Sequence, residues 1–276
     1  MNMTEIIKDA FQFPSKNTGR YAIYLLLTVL ISLFALGGVF TYAFGIIDAE
    51  NYLMGGIYLI ISGLIGIIVL GYHIKVIKSG IEHDDVPVFN LFEDFMTGFD
   101  NFVLLIVYFL IPALIVVLVG LDTDIFGKAI GVVREFVVQA FNVYIMGSSA
   151  DIAVKAISNA LTNFVGSLAV TIAVALVLFV IFSFLLGMAE ARLANTGSLK
   201  EALNIFESAK DLKRLGVGRA ILVMLLVIAL ITAIEVILLI IFNNYPFLLS
   251  TFCIIITPYF VLVTQRALGL LYSDIT

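Results

Sequence analysis

Residues 217–242 read VGRAILVMLLVIALITAIEVILLIIF, and this stretch decides the class of fold. Only Arg219 and Glu235 are charged in it. About 20 predominantly apolar residues are enough for a helix to cross a bilayer. We therefore predict a transmembrane helix here, and five other runs of similar length and composition lie elsewhere in the chain. The predicted spans are 21–46, 52–77, 101–121, 164–188, 217–242 and 247–271.

The composition of the whole chain supports the same class of protein. Of 276 residues, 62% are hydrophobic and 13% are charged, and the mean hydropathy is +1.15. Soluble domains average roughly 45–50% apolar and 25% charged residues. The first apolar run is too long for the core of a cleavable signal peptide, so we interpret it as a retained span. The sequence predicts an all-α polytopic membrane protein with six transmembrane helices.

The basic residues predict how the chain is oriented in the membrane. Of the 15 lysines and arginines, only Lys128, Arg134 and Lys155 fall on the side opposite the N-terminus, which leaves twelve on the N-terminal side. Short loops rich in lysine and arginine stay in the cytoplasm. We therefore predict a multi-pass protein of the plasma membrane with both termini in the cytoplasm. No basic arm suited to nucleic acid is present, so the bilayer is the expected partner.

Three stretches begin alike, which suggests an internal repeat. They are NMTEIIKDAF from Asn2, NLFEDFMTGF from Asn90 and SLKEALNIFESA from Ser198. In each, a helix-capping residue is followed three positions later by glutamate, and apolar residues recur at helical spacing. We predict a short cytoplasmic interfacial helix before each pair of spans. One transmembrane domain, 1–276, would then contain three tandem hairpins, at 2–80, 90–197 and 198–272. Chance resemblance among apolar helices is the alternative.

The middle repeat contains an insertion at residues 122–163, on the side opposite the termini. Ile130, Val133, Val137 and Phe141 have the spacing of one apolar helix face. Residues 152–161 are expected to extend the fourth span outward. Three roles stay open for the insertion. It could be a lid, a docking surface for a protein partner or a second copy of the chain, or a helix that rests on lipid.

Both histidines lie in residues 71–89, GYHIKVIKSGIEHDDVPVF, beside several acidic residues. His73 and His83 are ten residues apart, which is not the spacing of a zinc site, and no calcium-loop pattern surrounds Asp84 and Asp85. The single cysteine, Cys253, provides no thiol cluster. We interpret the stretch as a solvated loop between two spans, with a metal or acid–base site as the alternative. No cofactor is predicted.

The same stretch, continued to Phe99, resembles the membrane proteins grouped as domain of unknown function family 4013. Such proteins show a Gly-Tyr span end, basic residues, an acidic linker, a Pro-x-Phe and a later glycine. The residues that carry the resemblance are Gly71, Tyr72, Lys75, Lys78, Pro87, Phe89 and Gly98. The aromatic residue that often follows the Pro-x-Phe is replaced here by Leu91 or Phe92. The resemblance implies a prokaryotic, often archaeal, membrane protein, and it transfers no catalytic residue because the family has no assigned activity.

The most informative polar residue is Glu235. It lies about eight residues from the outer end of its span, or roughly 12 Å deep at 1.5 Å per residue. An intramembrane carboxylate costs about 2.5–3.5 kcal/mol to insert and marks an ion pathway, a ligand site or a paired structural group. Thr232, one turn earlier, is its nearest polar neighbour along the helix. Both the functional and the structural interpretation stay open.

Three classes of function are compatible with these features. A non-enzymatic protein that organises the membrane or binds a partner is favoured, because no catalytic set is present and polar features lie in interfacial helices and loops. A transporter, channel or lipid-handling protein that uses Glu235 is the alternative. An enzyme would depend on the loop around His83 alone, so we expect no enzymatic activity.

Overall fold

The computed structural model describes residues 1–45 and 49–276, and every regular element in these two ranges is helical. A 3₁₀ turn, Phe13–Lys16, follows the first helix. The helices are α1 (Met3–Gln12), α2 (Thr18–Gly45), α3 (Ala49–Glu82), α4 (Leu91–Asp122), α5 (Ile125–Tyr144), α6 (Ala150–Thr196), α7 (Leu199–Ala202), α8 (Ile205–Leu215), α9 (Val217–Phe242) and α10 (Pro246–Tyr272).

Among the described residues, six helices are long and apolar enough to cross a membrane: α2, α3, α4, α6, α9 and α10. Their outer surfaces carry large apolar side chains that other protein atoms leave mostly uncovered; Leu118, for example, is 63% exposed and Ile240 is 71% exposed. Such surfaces are stable in lipid and not in water. The prediction of an all-α polytopic membrane protein with six spans is confirmed. The predicted end of the first span, at position 46, lies outside the described residues.

The chain forms two compact units. One contains Met1–Leu105 and Leu185–Thr276, and the other contains Ile106–Phe184. We call them the terminal unit and the central unit. The helices α4 and α6 each contribute to both units, because the division falls within them.

In the terminal unit, α3 packs along α2 and α10, while α1 and α9 pack on α10. Its buried core lies at the end that carries both chain termini, where Arg219 bonds to the Met1 carbonyl and to Asp274. One apolar cluster of that core consists of Phe13, Tyr24, Val69, Tyr72, Val76, Val86 and Leu262. This end of the helices is therefore held together by protein contacts.

In the central unit, α5 lies beside the first part of α6. Lys128 Nζ donates hydrogen bonds to the Thr123 carbonyl, at 2.8 Å, and to Ser167 Oγ, at 2.7 Å. The rings of Phe109 and Phe179 stack with centroids 5.7 Å apart. No residue of α5 is buried. The apolar stripe predicted on this helix is therefore exposed, and no other part of the central unit buries it.

The interfacial helices differ from the prediction in two places. The second is not a separate element, because Leu91–Asp122 is one continuous helix. The stretch from Asn90 to the span contains no proline, so no residue in it forces the helix to break. The third is divided: Ser198 caps the single turn of α7, and Asn204 then caps α8 through the Glu207 N–H. The predicted outward extension of the fourth span is present, since α6 begins at Ala150.

Candidate functional site

Three basic residues stand at the termini-bearing ends of spans, and each forms an ion pair with an acid on another helix. The first is Lys75 of α3. Its Nζ lies 2.7 Å from Asp94 Oδ1 and 2.9 Å from Glu93 Oε2 in the first turn of α4. Asp94 is fully buried, and its other oxygen accepts the Asn90 N–H at 2.9 Å. Asp94 therefore caps α4 and anchors it to α3.

The second basic residue is Arg192, near the end of α6. Its guanidinium lies 2.8 Å from Asp211 Oδ2 and 3.6 Å from Glu207 Oε2, both on α8. Tyr272, at the end of α10, donates its hydroxyl to the same Asp211 oxygen at 2.9 Å. A hydrogen bond from Lys210 holds the pKa of Glu207 below its usual value. Asp211 thus joins three helices through one carboxylate.

The third basic residue is Arg266 of α10, which is 2% exposed. Its Nε donates to Asp9 Oδ2 of α1 at 2.8 Å, and one Nη donates to the Asp84 carbonyl at 2.8 Å and to Ser79 Oγ at 3.1 Å. The guanidinium also lies 4.5 Å from the centre of the Phe13 ring, within cation–π range. Arg266 is therefore a buried cation with several partners, as a charge in this position requires.

Asp9 titrates differently from an exposed aspartate. Partial burial raises its pKa, but hydrogen bonds from Lys16 and Arg266 outweigh that effect, and the net result is a pKa below the usual value. The folded state therefore favours the ionised form of Asp9. The ion pair with Arg266 is fully formed at neutral pH.

All of the residues that carry the family resemblance except Lys78 lie where α3 crosses the start of α4. Gly71 and Gly98 face each other across this crossing. A Cβ on Gly71 would lie 1.7 Å from the Asp94 carbonyl oxygen, and one on Gly98 would lie 1.8 Å from the Ile67 oxygen. Only glycine fits at either position, because the obstacle is backbone.

Tyr72 holds the loop that leads into α4. Its ring stacks on Phe89 with centroids 3.8 Å apart and planes 7° apart, and its hydroxyl donates to the Pro87 carbonyl at 3.3 Å. The Pro-x-Phe segment is therefore fixed to α3. Lys75 adds the ion pair to Asp94, whereas Lys78 is half exposed and, among the described residues, pairs only with Glu82, at 3.9 Å.

His73 and His83 do not share a site. His73 Nε2 is 2.8 Å from the Tyr24 hydroxyl, so the side chain is part of the packing between α2 and α3. His83 is exposed and ends α3 in the left-handed region, with φ of 58°. The Asp84 N–H bonds to the Ser79 carbonyl at 2.8 Å and the His83 N–H to that of Gly80, which is the Schellman pattern. Residues 1–45 and 49–276 contain no group of three or more metal-ligating side chains.

Glu235 is exposed on α9 and faces a groove between α9 and α10. The groove has a volume of about 310 Å³, and its polar lining comes from Glu235, Thr232 and Thr257. The structure therefore places the two predicted polar residues together at one groove. In the described part of the chain, the Glu235 carboxyl forms no ion pair. A larger groove of about 500 Å³ lies between α10 and α2, shares Cys253 and Thr257 with the first groove, and is lined mainly by apolar side chains.

Two sets of polar residues at the helix contacts were not predicted from the sequence. The acidic partners Asp9, Asp94 and Asp211 could not be identified as such, because each pairs with a residue far away in the chain. A signal for two of them exists: Asn2, Glu5, Lys8 and Asp9 recur at identical spacing as Asn204, Glu207, Lys210 and Asp211. A buried pair, Asn101 and Glu190, also went unrecognised, since Glu190 lies just beyond the predicted end of the fourth span at position 188.

An all-helical chain with six spans, joined by ion pairs at one end, defines an integral membrane protein of the polytopic α-helical class. The chain belongs to the family described as a protein of unknown function, DUF4013, whose model matches residues 54–243. This match confirms the family resemblance that was predicted from residues 71–98, the segment that contains the crossing of α3 and α4. No curated protein and no solved structure matches the chain.

Proposed function

We propose that this chain is a non-enzymatic membrane protein that binds a membrane-embedded protein partner through the groove between α9 and α10. The observation that carries the proposal is Glu235, a carboxylate exposed on a span at the wall of a groove. Intramembrane carboxylates are costly in lipid and are stabilised by pairing with another polar group. The plasma membrane with cytoplasmic termini is the proposed location.

The position of the groove favours a partner over a pathway. Its lining comes from two neighbouring helices alone, α9 and α10, so the groove is open at the surface of the helices. A conduction pathway needs polar groups that follow one another through the interior of the bundle. At the termini-bearing end, the interior polar groups of Arg266 and Arg192 are engaged in ion pairs.

The chemistry of the groove indicates what kind of partner fits. Val236, Leu238, Leu239, Leu249 and Ile256 provide an apolar wall, while Glu235, Thr232 and Thr257 supply acceptors and hydroxyl donors. A transmembrane helix with a basic or amide side chain at the same depth would satisfy both. Such interhelical hydrogen bonds contribute about 0.6–2 kcal/mol each.

Site-specific photo-crosslinking in native membranes tests the proposal. Two neighbouring positions at the same depth provide a matched pair. Leu239 lines the groove and is 53% exposed, whereas Ile240 lies outside the lining and is 71% exposed. We expect a crosslinker at position 239 to yield one discrete protein adduct that position 240 does not yield.

Substitution of Glu235 completes this test. Glu235→Leu should abolish the adduct from position 239, and Glu235→Gln should retain part of it, because an amide still forms hydrogen bonds. Equal labelling from positions 239 and 240, or only lipid adducts from both, would contradict partner binding. Unchanged expression and thermal stability of both variants show that folding is intact.

A second candidate, lipid handling or transport, is favoured by the larger groove between α2 and α10. This groove has a mainly apolar lining that includes Leu33, Leu36 and Val261, which suits an acyl chain. Lipid that copurifies in defined stoichiometry, or solute uptake into proteoliposomes that Glu235→Gln abolishes, would favour this candidate. Neither result is expected for a partner-binding protein.

The insertion offers a further contact surface in this proposal. Ile130 is 70% exposed, Val133 64% and Val137 61%, all on one face of α5. Such a face rests on lipid or packs against a partner or a second copy of the chain. Crosslinkers at these three positions distinguish the occupants by the mass of the adduct.

A further inference from the structure

A buried polar pair lies where α3, α4 and α6 meet in the terminal unit. Asn101 is fully buried and Glu190 is 9% exposed. The carboxyl group of Glu190 is hydrogen-bonded to the Asn101 side chain, and Asn101 Nδ2 also donates to the Leu70 carbonyl at 3.3 Å. Asn101 Oδ1 is buried and has no hydrogen-bond partner within the described ranges. One acceptor of this pair is thus left without a donor.

Within the terminal unit, the basic groups of the same helices have other partners. On α3, Lys75 pairs with Asp94 of α4, and His73 contacts the Tyr24 hydroxyl. On α6, Arg192 pairs with Asp211. None of the ion pairs in the described residues includes Glu190. A charged carboxylate at this position would therefore be buried without a counter-ion, which is strongly unfavourable.

We propose that Glu190 and Asn101 form a buried proton-binding site, in which the neutral carboxyl group of Glu190 donates its O–H to Asn101 Oδ1. A carboxylic acid has one donor and one acceptor side by side, and so does a primary amide. The two groups can close a ring of two hydrogen bonds, amide N–H to acid carbonyl and acid O–H to amide oxygen. The second N–H of Asn101 remains on the Leu70 carbonyl.

The ring satisfies every polar atom of the pair. The bound ligand is a proton delivered by a hydronium ion of the solvent: one O–H bond of hydronium breaks, leaving water, and one O–H bond forms on the Glu190 carboxylate. Loss of the proton would leave a buried carboxylate held by one amide N–H. The site is independent of the α9–α10 groove, since it consists of residues on other helices.

Infrared spectroscopy of the full-length protein in lipid bilayers at neutral pH tests the site. A protonated carboxylic acid has a carbonyl stretching band that is separate from those of carboxylates and amides. We expect this band in the wild-type protein, its loss in Glu190→Gln, and its retention in Glu235→Gln. The last variant is the matched control, because Glu235 is likewise a glutamate on a helix long and apolar enough to cross the membrane, and it lies away from the pair.

Two results would overturn the proposal: absence of the band from the wild-type protein, or a band that persists in Glu190→Gln. Glu190→Gln should fold, because glutamine has nearly the same shape and its amide can donate to Asn101 Oδ1. If it does not fold, Asn101→Leu provides the second test. That variant removes the acceptor, so the band should move to higher frequency, and an unchanged band would again overturn the site.

Discussion

At the scale of single residues, the crossing of α3 and α4 depends on two glycines. Gly71 and Gly98 allow the two backbones to approach so closely that a methyl group on either would overlap a carbonyl oxygen of the other helix. A flexible side chain could move aside, but a carbonyl in a helix is held by its own hydrogen bond. The crossing therefore tolerates no side chain at these two positions.

We predict that Gly71→Ala lowers the free energy of unfolding by about 3 kcal/mol or more, because the backbone clash must be relieved by separating the helices. Gly66→Ala is the matched control on the same helix, since its Cβ would meet open space. It should be neutral or gain up to about 1 kcal/mol from better helix propensity. Thermal denaturation in detergent checks both, and equal effects of the two substitutions would contradict the close crossing.

His83 affects stability through its backbone conformation, because its φ of 58° lies in the left-handed region. A left-handed conformation costs an L-residue roughly 1–2 kcal/mol and costs glycine almost nothing. We therefore expect His83→Gly to raise the melting temperature and His83→Val to lower it. If the residue instead bound a metal ion, both substitutions would lower the melting temperature, and a chelator would lower that of the wild-type protein.

Hydropathy and capping could be read from the sequence because both are local. The six spans follow from the apolar runs, and the Asn2 and Ser198 caps follow from the glutamate three residues later. The exposure of Glu235 beside Thr232 could be expected from helical spacing. Asp94 could not be assigned to Lys75, nor Asp9 to Arg266, because these contacts depend on how distant helices pack. The division between α7 and α8 was missed because Asn204 is a cap inside an apparently continuous apolar pattern.

At the scale of elements, two segments reverse the usual amphipathic arrangement. At the start of α4, Phe92 is 78% exposed while Asp94 is fully buried, and on α8 Phe206 is 81% exposed while Asp211 is 2% exposed. The apolar faces are directed outward, where lipid would cover them. The polar faces are directed inward, because the ends of the spans present cations there. These helices are thus held to the protein by charge and to the membrane by apolar contact.

This arrangement predicts that α8 responds to substitution in the opposite way from a helix of a soluble protein. Asp211→Asn should lower the melting temperature by several degrees, since it removes the charge that Arg192 and Tyr272 share; the loss is about 2–4 kcal/mol. Phe206→Gln should leave the melting temperature in detergent unchanged. A larger effect from Phe206→Gln would show that its ring is buried in the protein.

At the scale of the whole molecule, the ion pairs connect segments that are far apart along the chain. Lys75 joins α3 to α4, Arg192 joins α6 to α8, and Arg266 joins α10 back to α1. In terms of the three proposed repeats, the returning span of each repeat would hold the interfacial helix of the next, and the last would hold that of the first. The three ion pairs would then link the repeats into a closed ring at the end that carries the termini.

The closing pair predicts a pH dependence. The pKa of Asp9 is lower in the folded state than the value of about 3.9 in an unfolded chain. Its stabilising contribution is therefore complete above that unfolded value and is lost as the pH falls through the folded-state pKa. Asp9→Asn should lower the melting temperature at neutral pH, and the difference from the wild-type protein should shrink under acid conditions.

Asp85→Asn is the matched control, because Asp85 is exposed in the loop after α3. Its melting temperature should follow the wild-type protein at every pH. A difference for Asp9→Asn that is constant down to acid pH would show that the carboxylate contributes through its shape and not through its charge.

The contact of α1 with α10 has a consequence for biosynthesis. The ribosome completes α1 long before it completes α10, so Ile6 and Ala10 lack the α10 surface that helps to bury them while the spans between are inserted. A nascent chain that stops before Arg266 keeps this amphipathic helix unprotected, which is the kind of segment that chaperones and membrane proteases recognise. The docking of α1 would thus report that α10 has been made and correctly inserted.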